Sequence, residues 1–155
     1  MRCPKAMPVV FMEIALIASE TKRELMVQFC IAYCGVLAKH NICAPKMTGR
    51  FVAEATGLPV EELLPDSEGG IQQIASRVAY DEIDVLLYFR ENTEEPEAML
   101  KDAMLMRECD RSNIPTATNI ATAEAGITAL DRGDLDWRNF INPKSEYNHA
   151  KKVKI

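Results

Sequence analysis

Histidine is almost missing from this chain, with only His40 and His149 among its 155 residues. A histidine-rich metal site or a Ser-His-Asp centre therefore has little to draw on, and neither a metal nor another cofactor is expected. An excess of basic residues is also lacking. Lys and Arg number 18 against 23 Asp and Glu, a formal net charge of −5, so no nucleic-acid partner is expected, and Lys151, Lys152 and Lys154 are too few to change that. No apolar run approaches the ~20 residues of a membrane span, which points to a soluble, cytoplasmic chain with no membrane partner. The stretch from Ala6 to Ala18 is interrupted by Pro8 and Glu13 and lacks a cleavage context, so it reads as a buried first strand and not as a signal peptide. No CxxC pair occurs among Cys3, Cys30, Cys34, Cys43 and Cys109. An odd set in a chain this long needs no disulfides and suits a reducing compartment, and Cys30 and Cys34, four apart, read as two packed thiols.

What is present is an alternation of short β-rich runs with longer helical ones, the pattern of βαβ crossovers and a mostly parallel, doubly wound sheet. Val9 to Ala18 reads as the first strand. Thr21 and Glu24 have capping-box spacing, and Leu25, Phe29, Ala32, Val36 and Leu37 continue a helix to about Lys39, which His40 would cap. A short strand at Asn41 to Ala44 precedes a Thr48-Gly49 turn and a helix carrying Phe51, Val52 and Ala55, closed by Gly57-Leu58-Pro59. Gly69-Gly70 opens a third helix with Ile74, Val78 and Ala79, and Ile83 to Phe89 reads as a central strand buried on both faces. From Asn92 or Thr93 another helix should turn Met99, Leu100, Ala103, Met104 and Cys109 inward, with Met106 also in core packing. Ile114 to Thr118 is a strand, Ala121 to Leu130 a helix, and the segment from Trp137 onward has weak periodicity, with His149 in a tail. Residues 1–12 are expected to be an extension, 13–143 a single α/β domain and 144–155 a basic tail. In such a sheet ligands bind beyond the carboxyl ends of the strands, which directs attention to segments 18–23, 44–50, 64–73, 89–101 and 117–122.

Those segments carry Ile14-Ala15-Leu16-Ile17-Ala18, Glu24 to Tyr33, Glu54-Ala55-Thr56-Gly57-Leu58, Gly69-Gly70 with Gln72-Gln73, Ile83-Asp84-Val85, Asn113-Ile114-Pro115, Ala117 to Glu124 and Asp134-Leu135-Asp136-Trp137. On these the chain resembles the methylglyoxal synthase family over residues 13–143. The resemblance implies a three-layer αβα domain, a homohexamer, and conversion of dihydroxyacetone phosphate to methylglyoxal and inorganic phosphate. The regulatory domain of carbamoyl phosphate synthetase and the cyclohydrolase part of a purine-biosynthesis enzyme share the fold, which adds a small-metabolite sensor to the readings.

The family chemistry needs a carboxylate base beside the reacting carbon, acid partners for the enediolate oxygens, and small donors around a phosphate dianion. The family's Gly-Gly-Asp-Gln-Gln, whose aspartate is the base, stands here as Gly69-Gly70-Ile71-Gln72-Gln73, and isoleucine accepts no proton. The histidine and second aspartate of Pro-His-x-Pro-Asp correspond to Ala98 and Lys101, and the His-Asp after the first strand is Ser19-Glu20. Thr-Gly-Thr-Thr-Gly has become Pro45-Lys46-Met47-Thr48-Gly49, and Ser-Gly-Pro has become Pro65-Asp66-Ser67. Each proline removes a backbone donor, Asp66 adds a charge of the wrong sign for phosphate, and Glu91, Glu94, Glu95 and Glu97 add more near the crevice. Arg23 matches a family lysine. Arg23, Lys46, Thr48, Gly49, Asp66, Gly69, Gly70 and Gln72 are thus the candidate ligand-binding residues of a chain expected to have lost catalysis. Glu20 and Glu91 keep acidic positions one methylene longer and are the pair an active enzyme, or a lyase of altered substrate, would use; first-turn glutamates also simply favour a helix N-terminus. A metabolite in the crevice and other copies of the chain are the expected partners.

Overall fold

The computed structural model describes residues 10–91 and 94–153. Five parallel strands, β1 (Glu13–Ala18), β2 (Asn41–Pro45), β3 (Glu61–Leu63), β4 (Val85–Phe89) and β5 (Thr116–Ala117), form one sheet in the order β3-β2-β1-β4-β5. The helices are α1 (Arg23–Ala32), α2 (Cys34–Leu37), α3 (Lys46–Thr56), α4 (Gly70–Ala79), α5 (Pro96–Arg111), α6 (Ile120–Arg132) and α7 (Glu146–Val153). Side chains alternate across a strand, and both faces of β1 and β4 are covered. Ile14, Leu16, Val85, Leu87 and Phe89 enter one core with Met26, Phe29, Val52 and Ile127. Ala15, Ile17, Leu86 and Tyr88 enter the other with Ile74, Val78, Leu105 and Cys109. Two cores on opposite faces of one sheet are the three-layer αβα arrangement, and they explain why β4 reads as an unbroken apolar run.

Several local expectations are corrected. Val9 lies outside the described residues, and β1 begins at Glu13; β4 begins at Val85 and not Ile83. The Thr21-Glu24 capping box does not form. A 3-10 turn over Glu20–Lys22 leads into α1, and the Thr21 hydroxyl bonds the Glu91 carboxylate across the crevice. The first helix breaks at Tyr33, whose ring packs 4.8 Å from that of Phe29, and the turn carries Leu37 into the core. Ala32 is exposed. His40 does not cap the helix: its Nδ1 accepts the Met12 backbone N–H at 3.0 Å, fastening the chain just ahead of β1.

Thr48 and Gly49 do not form a turn but lie within the first turn of α3, because Pro45, extended at φ −55 and ψ 152, already makes the entry. A Cβ on Gly49 would stand 3.3 to 3.5 Å from Glu62, Val60 and Ala44, so the helix start packs tightly on the β2–β3 edge. Of the helix's predicted apolar face only Val52 is buried, while Phe51 and Ala55 are exposed. The triplet forming β3, Glu61-Glu62-Leu63, was not anticipated, since a three-residue edge strand with two glutamates carries almost no apolar signal.

Asn92 and Thr93 lie outside the described residues, and α5 starts at Pro96. Its inner face is Leu105 and Cys109; Ala103 is exposed, and Met99, Leu100 and Met104 are exposed by 53%, 61% and 60%. The helix packs its apolar side chains on the sheet only through its second half, and Met106 lies against the core edge. Beyond α6 the weakly periodic segment is a 3-10 turn, Asp136–Phe140, followed by α7, which carries an exposed His149. Cys30, Cys34, Cys43 and Cys109 are free thiols, and burial pushes Cys30 up to about 12 and Cys43 up to about 11. Such thiols are unreactive at neutral pH.

Candidate functional site

After β3 the chain crosses from one side of β1 to the other, so the strand order reverses between β1 and β4. A crevice at the carboxyl ends of those two strands follows from that reversal. The loops on either side of it are tied together. Ser19 N–H donates to Phe89 O at 2.9 Å, Ser19 Oγ accepts the Glu91 N–H at 3.0 Å, and Glu91 Oε1 accepts the Thr21 N–H at 3.2 Å as well as its hydroxyl. Glu91 is therefore already engaged. Glu20 points elsewhere and lines a depression of about 350 Å³ with Arg23, Glu24, Val27 and Phe51.

A second wall is built by the segments that follow β2 and β3. Gly69, at φ +103, turns the chain into α4, and Gly70 then passes so close to the preceding loop that a Cβ would lie 2.0 Å from Leu64 O and 3.2 Å from the Pro45 side chain. Gly70 N–H donates to Pro65 O at 3.0 Å, and Gln73 Oε1 accepts the Leu64 N–H at 2.8 Å. These contacts hold the starts of α3 and α4 against the Leu64–Pro65 loop, the stretch of chain that carries Lys46, Asp66, Gly69 and Gly70. Arg23 reaches the same wall from α1, its guanidinium carbon 5.6 Å from the Phe51 ring centre. Partial burial raises the Asp66 carboxyl above the usual aspartate value, and Arg23 pulls it the other way. No ion pair among the described residues joins the two.

Ile71, Gln72 and Lys101 face a different space. They line a groove of about 760 Å³ between α4 and α5, walled by Leu100 and Met104, with half-buried Ala98 on the first turn of α5. Lys101 Nζ lies 3.6 Å from Glu97 in an exposed pair. Ile71, Ala98 and Lys101 thus present an apolar side chain, a methyl group and a surface ammonium. One feature went unread in the sequence. Tyr88 donates to Asp102 Oδ1 at 2.7 Å, with Arg90 3.8 Å from the same carboxylate, which holds the start of α5 to the end of β4. Burial, then the bond to Asp102, raises the Tyr88 phenol well above its usual range. A tyrosine in a fully buried strand was the available signal, since its hydroxyl requires a partner. Among the described residues no group of three or more His, Cys, Asp or Glu is placed to hold a metal ion, and no helix is long and apolar enough to cross a membrane.

A parallel three-layer domain with a crevice at its reversal point defines a class of α/β proteins that bind small molecules beyond the strand ends. Comparison with known proteins narrows the class. No family model matches the chain. The chain is 53% identical over 142 residues to the methylglyoxal synthase of Caldicellulosiruptor saccharolyticus, covering 91% of this chain and all of that one. It is 40% identical over 146 residues to that of Geobacillus thermodenitrificans, covering 92% and 99%. The crystal structure of methylglyoxal synthase from Elizabethkingia anophelis superposes with a TM-score of 0.67 at 30% identity, over 76% of this chain and 77% of that one. The chain belongs to the methylglyoxal synthase family.

Proposed function

We propose that this chain is a catalytically degenerate member of the family that binds a small metabolite in the crevice and serves as a regulatory or structural subunit, assembled as a homohexamer in the cytoplasm. The observation that carries the reading is Ile71. The family reaction begins with removal of a proton beside a carbonyl, and Ile71 occupies the base position with no carboxylate to offer. Loss of a positioned base alone costs a factor of ~10²–10⁴. Ala98 and Lys101 remove the acid partners, and Pro45, Pro65 and Asp66 weaken the cradle for a phosphate dianion. Glu91, tied to Thr21, is poorly placed to substitute.

The test is direct. Purified chain supplied with dihydroxyacetone phosphate should release neither methylglyoxal nor phosphate above background, and turnover within about tenfold of a related synthase would overturn the reading. Combining Ile71→Asp, Ala98→His and Lys101→Asp asks whether the scaffold still supports the reaction. If the triple variant stays silent, Pro45, Lys46, Pro65 and Asp66 are the next positions to revert.

A further inference from the structure

The groove between α4 and α5 has apolar walls that face solvent in the single chain. Leu100 and Met104, one turn apart on α5, are both exposed, and α4 contributes Ile71, Ala75 and Ala79 at intervals of four. Apolar walls left open in this way mark an interaction face. The charged residues of the same groove balance, Glu97 and Glu108 against Lys101 and Arg107. That neutrality offers nothing to a nucleic acid or an anionic membrane, which require an excess of cations. Lys101 already lies 3.6 Å from Glu97, and Glu108 lies 2.7 Å from Arg111. Arg107 is exposed and makes no ion pair among the described residues.

Read in reverse, this face of α5 complements itself. Glu97, Leu100, Met104 and Arg107 follow one another at steps of three, four and three, and so share one side of the helix. When a second α5 is laid antiparallel across a two-fold axis at the level of Asp102, Leu100 meets the partner's Met104 and Glu97 meets the partner's Arg107. The symmetry makes each contact twice. A parallel pairing would instead set Glu97 on Glu97 and Arg107 on Arg107. We infer that a second copy of this chain occupies the groove, the α5 of each copy lying antiparallel in the α4–α5 groove of the other. The small side chains of Ala75 and Ala79 let the incoming helix approach closely, and Leu100 and Met104 are withdrawn from water. Two copies that each carry a net charge of −5 repel at a distance, so the Glu97–Arg107 pairs also fix the register in which they can meet. The inference rests on the oligomer named in the proposed function and assigns one of its contacts.

Sedimentation of the full-length chain over a series of concentrations tests this. The parent chain is expected to be oligomeric, and Leu100→Glu with Met104→Glu should reduce the assembly to half its mass or less. Both side chains are exposed in the folded chain, so its far-ultraviolet circular dichroism should not change. Arg107→Glu alone sets two carboxylates against each other at both ends of the contact and should raise the dissociation constant about tenfold. Adding Glu97→Lys should bring it back to within about threefold of the parent value. Within one chain the two positions are about 15 Å apart along the helix, at ~1.5 Å per residue, so the rescue reports contact between copies. A monomeric parent chain would overturn this inference and the oligomer reading together, and leave the loss of catalysis standing. An oligomer that keeps its mass in Leu100→Glu with Met104→Glu, that ignores Arg107→Glu, or that Glu97→Lys fails to rescue would overturn this inference alone.

Discussion

Gly70 admits no side chain, because the position of its missing Cβ is 2.0 Å from a backbone oxygen and not from the end of a flexible side chain. Gly70→Ala should therefore force α4 away from the Leu64–Pro65 loop and cost about 1–3 kcal/mol, as overpacking does. Urea denaturation with an unchanged slope would measure it, and a midpoint equal to that of the parent chain would show that the loop yields freely. At this scale only the identities of Ile71, Ala98, Lys101 and Asp66 were legible, because they are chemistry that no fold alters. Their distribution was not. Sequence placed them all around one crevice, whereas Ile71, Gln72 and Lys101 line the α4–α5 groove and Arg23 lines a depression against α1 and α3. Spacing along a chain gives the face of a helix but not the distance between two helices. Gln73, adjacent to the candidate Gln72, turned out to hold the loop through Leu64.

Helices were found where apolar spacing announced them, and their ends and faces were settled by neighbours. Thr21 makes no local cap: it lies inside the 3-10 turn, and its N–H and hydroxyl both donate to Glu91, which the β1–β4 pairing brings beside it. Met99, Leu100 and Met104 satisfy a helical period yet lie beyond the reach of the sheet, so periodicity identified a face without showing what covers it. His40 is the clearest case, since its role depends on β1 lying beside the strand that follows it. To accept the Met12 N–H its Nδ1 must be unprotonated, and burial lowers its pKa below the ordinary 6.5, with Lys39 acting the same way and Asp131, Asp136 and Asp84 opposing. The sign follows from linkage: as pH falls through 6.5 the unfolded chain takes up the proton before the folded one, so stability drops. The loss of thermal midpoint between about pH 7.5 and 5.5 should be smaller in His40→Gln than in the parent chain. Equal losses would remove His40 from the account, because the remaining titrating groups are common to both.

The whole molecule is held at two ends by different means. At the carboxyl ends of the strands, small residues and loop hydrogen bonds join the connecting segments, and each of the five segments the sequence pointed to follows one of the five strands, because βαβ order alone fixes that end of the sheet. At the opposite end the closure was illegible: Asp84 and Arg138 are 54 residues apart, and nothing in a weakly periodic segment marks an arginine as buried. Arg138 is fully enclosed, donating from Nε to Asp84 Oδ1 at 2.8 Å and from its terminal nitrogens to Ser112 O and Ile83 O. Asp84 Oδ2 also accepts the Glu13 N–H at 2.8 Å and Asn142 Nδ2 at 3.0 Å, so one carboxylate joins the starts of β1 and β4 to the segment before α7. Removing one partner of such a pair strands the other charge in the interior, whereas removing both restores an apolar contact. Asp84→Ala should cost about 3–5 kcal/mol and the pair Asp84→Leu with Arg138→Met distinctly less, read from urea midpoints of the single and double variants. The amide of Glu13 should lose hydrogen-exchange protection in both, since it loses its acceptor either way. A double variant as unstable as the single would mean that shape, and not the unpaired charge, fixes this end of the sheet. Because the clasp lies across the sheet from the crevice, binding there should survive in any variant that remains folded.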